Sequence, residues 1–120
     1  MHNTLPPRLD VKGYGQLVVD SEGHEPPVSV RYAVVLSAQL TQRSAAAKQH
    51  EPYWEWSKAD GHVELVRPDD RVILDVPGEY TLVFETGQQC RANVRYDPRL
   101  PRTKFLVECS VVDLVDALPS

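Results

Sequence analysis

Residues 28–36 read Val-Ser-Val-Arg-Tyr-Ala-Val-Val-Leu, and this stretch decides the fold. Large apolar side chains occupy every second position, with Ser29, Arg31, Ala33 and Val35 between them. An alternation of period two that is carried by β-branched residues is typical of a strand with one buried face. We therefore predict a strand whose inward side chains are Val28, Val30, Tyr32, Val34 and Leu36.

One short pattern around this strand occurs twice in the chain. Residues 17–23, Leu-Val-Val-Asp-Ser-Glu-Gly, lead to Val-Arg-Tyr at 30–32. Residues 82–87, Leu-Val-Phe-Glu-Thr-Gly, lead to Val-Arg-Tyr at 94–96. An apolar strand, an acidic turn that ends in glycine and a second strand are the signature of a β-hairpin. The repeat thus predicts two hairpins in related places of one fold.

Further apolar runs predict the remaining strands. A first strand is expected over residues 9–20, where Gly13 and Gly15 would allow a bulge or a bend. Later strands are expected at residues 62–66, 71–76, 80–84, 90–96 and 105–109. In the last two of these strands, the inward phase contains Cys90, Tyr96, Phe105 and Cys109. Residues 111–118 either extend the last strand or form a short terminal helix.

Two segments break the strand pattern. Residues 1–8 are expected to form an irregular lead, and residues 39–60 a loop insert. Residues 45–48 have good helix propensity but no apolar stripe, so residues 39–51 are predicted to be a mobile loop or a frayed helical turn. Residues 53–56 then return to a strand-like pattern.

About seven short strands separated by turn residues indicate a β-sandwich or a β-barrel. We therefore predict one all-β domain over residues 1–120, either an immunoglobulin-like antiparallel sandwich or a flattened barrel. The segment Pro-Gly-Glu-Tyr-Thr-Leu at residues 77–82 resembles the start of a late strand in many immunoglobulin-like and fibronectin-like sandwiches. This resemblance concerns the fold and transfers no functional residue. The Cys-Trp-Cys order of immunoglobulin domains is missing, because both cysteines follow both tryptophans.

The composition is that of a globular protein, with 42% apolar and 25% charged residues. The formal net charge of −4 disfavours a general nucleic-acid binder, which usually carries an excess of positive charge. The N-terminus lacks the pattern of a secretory signal, and no run reaches the roughly 20 apolar residues of a membrane helix. We therefore expect a cytoplasmic protein with no membrane partner.

The sequence offers no metal, cofactor or catalytic motif. None of the four histidines stands at metal-ligand spacing from another histidine or a cysteine. Neither Cys90 nor Cys109 lies at a helix start that would activate its thiol, so we expect two small buried side chains in a reducing compartment. Gly13 and Gly15 precede a strand rather than a helix, which excludes a phosphate-binding loop.

Two groups of side chains are candidates for binding. The first is the aromatic cluster Tyr53, Trp54 and Trp56, in which Trp54 and Trp56 would share one face of a strand. This cluster either closes one end of the core or forms an exposed recognition patch. The second is a basic stretch that would dock an acidic partner or a phosphate, unless the acidic tail neutralises it. Its arginines are Arg91, Arg95, Arg99 and Arg102.

These observations predict a small non-enzymatic interaction module. Its partner would be another protein or a second copy of the chain, bound through the insert or through an exposed sheet edge. One alternative is a barrel that binds a small ligand, a nucleotide or a nucleic acid with its arginine face. A second alternative is an enzyme with a cysteine nucleophile.

Overall fold

The computed structural model describes residues 7–19, 26–41, 53–74 and 77–118. In chain order these residues form β1 (Arg8–Val18), β2 (Val28–Thr41), β3 (Tyr53–Leu65), a 3-10 helix (Pro68–Ile73), β4 (Gly78–Val83), β5 (Gln89–Arg95), β6 (Lys104–Cys109) and α1 (Val111–Ala117). All strand pairs among them are antiparallel. The all-β prediction is therefore confirmed.

The strands close into a barrel in the order β1-β2-β3-β6-β5-β4. The first three strands form one antiparallel meander and the last three form another, and the two meet at the β1–β4 and β3–β6 pairs. Of the two predicted architectures, the described residues adopt the barrel, and the immunoglobulin-like sandwich is not confirmed. A seventh strand is not confirmed either, because residues 53–56 and 62–66 belong to the single strand β3.

Both predicted hairpins are confirmed by strand pairing. β1 pairs with β2 through Leu17 and Val28, and β4 pairs with β5 through Leu82 and Cys90. The turn of the second hairpin contains Gly87 at φ +92°, a conformation that glycine adopts at little steric cost. Leu17 and Leu82 hold equivalent places in the two sequence copies, and they are direct neighbours across the β1–β4 pair. The repeat therefore places the two hairpins side by side where the barrel closes.

The core consists of the inward side chains of the strands. All five predicted inward residues of β2 are buried, and so are Cys90, Phe105 and Cys109. The prediction for Tyr96 was wrong, since its side chain is 47% exposed. β5 ends at Arg95, so Tyr96 no longer follows the alternation of the strand. The guanidinium of Arg71 instead lies 5.4 Å from the centre of the Tyr96 ring.

Two short helices cover opposite ends of the barrel. The 3-10 helix follows β3 and α1 follows β6, and these two strands run antiparallel. Leu74, next to the 3-10 helix, and Leu114 of α1 are both buried against the core. Of the two predictions for residues 111–118, the short helix is the one that forms. Its N-terminus is capped by the side-chain oxygen of Ser110, which accepts a hydrogen bond from the backbone N–H of Asp113.

The predicted strand at residues 71–76 is wrong over its described part. Pro68 stands at the start of the 3-10 helix and two acidic residues, Asp69 and Asp70, lie in its first turn. Both features favour the beginning of a helix. Val72 is 90% exposed, so the apolar character of this segment does not reflect a buried strand face.

Both ends of the predicted loop insert at residues 39–60 are strand. β2 continues to Thr41 and pairs there with Tyr53 at the start of β3. β6 pairs with β3 from Asp60 to Glu64, so the β2–β3 ribbon extends beyond the β6 contact. Ser57 is an extra residue in β3 and forms a β-bulge opposite the step from Ser37 to Ala38.

Several sequence predictions fall on residues outside the described ranges. They are residues 42–51 of the predicted mobile loop or frayed helical turn at 39–51, the acidic turn of the first hairpin at residues 20–25, and most of the N-terminal lead at residues 1–6. The end of that lead is strand, because β1 begins at Arg8.

Barrel closure depends on a close approach of two backbones at Gly15. Within the described residues β4 pairs with β1 at positions 16–18, and the carbonyl oxygen of Val83 occupies the place where a Cβ on residue 15 would stand. The register of β1 on β2 is unbroken from Arg8 to Leu17, so the predicted bulge at Gly13 and Gly15 is absent from this described strand. Gly15 instead lets β4 reach β1.

We predict that Gly15→Ala lowers the free energy of unfolding by about 1–3 kcal/mol, because the new methyl group must push β4 away from β1. Chemical denaturation followed by circular dichroism measures the change. Gly87→Asn is the control, since no neighbour lies within 4 Å of the added side chain's first carbon and asparagine tolerates positive φ. Equal stability of Gly15→Ala and the wild type would contradict this account of closure.

Candidate functional site

The predicted aromatic residues divide between the two faces of the β2–β3 ribbon. Trp54 pairs with Leu40 and Trp56 pairs with Ala38, so these four side chains point to the same face as the buried Leu36. Tyr53 points to the other face, and its side chain is 42% exposed. The structure thus brings together two of the three predicted aromatic residues.

The interior of the barrel continues outward along this sheet as an apolar face that the other described residues leave partly exposed. Leu9 on β1 pairs with Leu36 and therefore points to the same side. Three side chains from three neighbouring strands are substantially exposed there, Leu9 at 40%, Leu40 at 55% and Trp54 at 36%. Trp56 packs partly against the core. We call the surface made by Leu9, Ala38, Leu40, Trp54 and Trp56 the open face.

The edge of β3 next to the open face carries features that oppose pairing with another strand. The bulge at Ser57 interrupts its regular hydrogen-bonding pattern. The side chains of Lys58 and Asp60 form an ion pair of 3.2 Å with 62% and 43% exposure. Bulges and charged side chains are the usual protection of an edge strand against mispairing. The face of the sheet is therefore more available for contacts than its edge.

The four predicted arginines do not act as one cationic surface. Arg91 is paired with Asp113 of α1, whose carboxylate oxygen lies 3.1 Å from both the Nε and the backbone nitrogen of Arg91. This contact joins the basic stretch to the acidic tail. Arg99 is paired with Asp97 at 3.0 Å, and its hydrogen bonds hold the pKa of Asp97 below its ordinary value. Two of the four charges are thus neutralised.

The remaining two predicted arginines lie on different elements. Arg95 ends β5 and pairs with Leu106, whereas Arg102 stands in the loop before β6. Both side chains are exposed, and neither forms an ion pair with another described residue. Sequence reasoning missed Arg71, which stacks over Tyr96 and lies 6.0 Å from the centre of the Phe105 ring.

Sequence reasoning also missed a hollow on the outer side of the barrel. It has a volume of about 520 Å³ and lies over β1, β2, β3 and β6. One cross-strand row runs Lys12, Ala33, His62, and the next runs Tyr14, Arg31, Glu64, Lys104. We call this surface the outer hollow. Its signal in the sequence was the outward phase of residues 28–36, where Arg31 is followed by the small Ala33.

The two cysteines are neighbours in the interior. Cys90 and Cys109 are 1% and 5% exposed and are both free thiols. The Cys90 thiol donates to the carbonyl oxygens of Arg91 at 3.3 Å and Ser110 at 3.7 Å. The contact with Cys90 and burial both raise the pKa of the Cys109 thiol. The same contact lowers the pKa of the Cys90 thiol. The burial of both thiols is nevertheless the opposite of the accessibility that a nucleophile needs.

Two further kinds of feature are absent from the residues that the structure describes. Histidine, cysteine and acidic side chains do not gather there in groups of three that could hold a metal ion. The helices of the same ranges are too short or too polar to cross a membrane.

Asp113 supplies a pH-dependent contact between α1 and β5. Hydrogen bonds from the backbone and side chain of Arg91 hold the pKa of its carboxyl below the ordinary value of 3.8. A depressed pKa in the folded state adds stability above pH 3.8, and this stability is lost as the pH falls below that value. We therefore predict that Asp113→Asn lowers the melting temperature at neutral pH.

The difference from the wild type should shrink as the pH falls below 3.8. Melting curves followed by circular dichroism at a series of pH values measure it. Asp116→Asn is the matched control, since Asp116 is an exposed residue of the same helix. A difference in melting temperature that stays constant with pH would contradict the role of this carboxylate.

No protein-family model, no curated protein and no solved structure matches this chain.

Proposed function

We propose that this chain is a small non-enzymatic interaction module that associates with a second copy of itself through the open face. The observation that carries the proposal is the row of exposed apolar side chains Leu9, Leu40 and Trp54 on three adjacent strands. Each is a continuation of the inward phase that is buried elsewhere in the barrel. A partner that covers them would extend the core across the interface.

The residue types of the open face support this role. Burial of apolar surface contributes roughly 25 cal/mol per Å², and large aromatic side chains supply much of that area. Tryptophan is among the residues most enriched at energetic hot spots. Trp54 is exposed, whereas Trp56, two residues later in β3, packs partly against the core. The open face therefore has one indole ring that the core holds in place and one that is available to a partner.

The composition of the open face favours a second copy as the partner. Its five residues, Leu9, Ala38, Leu40, Trp54 and Trp56, are all uncharged, so two copies of the face do not repel each other. The ion pairs Arg8–Asp10 on β1 and Lys58–Asp60 on β3 point to the other side of the sheet, because their residues flank the inward Leu9 and Ala59. A face that selects a strongly acidic or basic partner would carry an excess of one sign.

The alternatives from other functional classes have weaker support. An arginine face for nucleotides or nucleic acid loses two of its four cations, since Arg91 and Arg99 are paired with carboxylates. An enzyme with a cysteine nucleophile would need an accessible thiol, whereas Cys90 and Cys109 are buried. Two free thiols suit a reducing compartment, which supports the cytoplasmic location that we include in the proposal.

We predict a monomer–dimer equilibrium for the wild type in sedimentation velocity runs between about 1 μM and about 1 mM. The double variant Leu40→Ser, Trp54→Ser should raise the dissociation constant of the dimer at least about tenfold, because truncation of hot-spot residues typically costs more than 1 kcal/mol. Tryptophan fluorescence of the wild type should shift to shorter wavelength as the dimer forms.

The control is Val72→Ser, which replaces a 90% exposed apolar residue on the 3-10 helix at the other end of the barrel. This variant should dimerise as the wild type does. A wild type that stays monomeric over the whole concentration range would overturn the proposal. A dimer equally stable in the double variant would also overturn it, because association would then use another surface.

A further inference from the structure

The outer hollow has the size of a small-molecule site. Its floor is Ala33, a small residue on β2 that stands between the long side chains of Lys12 on β1 and His62 on β3. The volume of about 520 Å³ falls within the range of about 300–1,000 Å³ that is usual for ligand sites. The hollow lies on the outer side of the sheet, opposite to the open face, so the two surfaces are independent.

The charges of the hollow favour an anion. Lys12, Arg31 and Lys104 contribute three cations, whereas Glu64 and Glu85 contribute two carboxylates. Arg31 is already engaged with Glu64 in an ion pair. Lys12 and Lys104 form no ion pair with any described residue. A bound anion would therefore supply the charge partner that these two lysines lack.

The two ends of one cross-strand row offer different chemistry. Tyr14 stands at the β1 end, 58% exposed, and its backbone N–H donates to Glu85 at 3.3 Å. Lys104 stands at the β6 end, diagonally next to His62. Three strand spacings separate Tyr14 from Lys104, which is about 14 Å of backbone. An aromatic ring can stack on Tyr14 while an anionic group reaches Lys104.

We propose that the outer hollow binds a small aromatic phosphate of mononucleotide size. The ring of the ligand lies against Tyr14 and its phosphate lies between Lys104 and His62. The guanidinium of Arg31, which is the cross-strand neighbour of Tyr14, contacts the middle of the ligand when it exchanges its ion pair with Glu64 for the ligand. The row runs from the π surface of Tyr14 through the Arg31 guanidinium and the Glu64 carboxylate to the Lys104 ammonium group. An aromatic phosphate matches the two ends of this row and its guanidinium.

The experiment uses adenosine monophosphate as the probe, with adenosine and inorganic phosphate as its two parts. Isothermal titration calorimetry of the full chain, at a concentration where it is monomeric, measures the three affinities. Adenosine monophosphate should bind at least about tenfold more tightly than either part, and its affinity should fall as salt is added. Chemical-shift changes in a nitrogen–proton correlation spectrum should centre on Tyr14, Arg31 and His62.

Three variants separate the contributions. Lys104→Ala should lower the affinity for adenosine monophosphate and for inorganic phosphate but leave the affinity for adenosine unchanged. Tyr14→Ser should lower the affinity for adenosine monophosphate and for adenosine but leave the affinity for inorganic phosphate unchanged. Glu64→Gln should raise the affinity for adenosine monophosphate, because the substitution removes a negative charge and releases Arg31 from its ion pair. A gain in affinity cannot result from a damaged fold.

Lys58→Ala is the matched control, since Lys58 lies on β3 outside the hollow and is paired with Asp60. This variant should bind adenosine monophosphate as the wild type does. The proposal is overturned if adenosine monophosphate binds no more tightly than inorganic phosphate, or if Glu64→Gln fails to raise its affinity. Either result leaves the dimer proposal intact, because the open face contains none of these residues.

Discussion

The short pairing between β1 and β4 is the constraint on which the rest of the structure depends. It joins two three-stranded meanders that are otherwise held together by the β3–β6 pair. Because this pairing covers positions 16–18, the outer part of β1 stays without a β4 neighbour in the described residues. On the inner side of this sheet, the side chain of Leu17 is consequently buried and that of Leu9 is partly exposed. The open face is thus the direct result of where closure stops.

The sequence predicted the parts of the fold that depend on alternation and turn chemistry. The alternation of residues 28–36 and the repeated hairpin pattern both correspond to strands with the expected buried sides. Local patterns did not distinguish a barrel from a sandwich, because the inward phase of a strand is the same in both. They also placed a strand at residues 71–76, where Pro68 and two aspartates start a 3-10 helix instead.

The candidate sites were harder to predict, since each depends on neighbours that are distant in the sequence. From the sequence alone, Arg91 is expected to be an unpaired cation. In the structure, α1 places Asp113 in an ion pair with it. The shared face of Trp54 and Trp56 followed from strand periodicity, but its continuity with Leu9 depends on the register of β1 on β2. The outer hollow is built from four strands, and its lining residues extend along the sequence from Lys12 to Lys104. Of its lining residues, Arg31, Tyr32 and Ala33 belong to the alternating stretch at residues 28–36.

The register around Leu17 has a consequence for the order of folding events. The hairpin partner of Leu17 is Val28, 11 residues away (28 − 17), whereas its closure partner Leu82 is 65 residues away (82 − 17). The entropic cost of joining chain segments grows with the logarithm of their separation, so the second contact costs about 1.6 kcal/mol more than the first. We expect each meander to assemble early and the seam between β1 and β4 to form last. The slowest step of folding would then be the docking of two nearly complete halves.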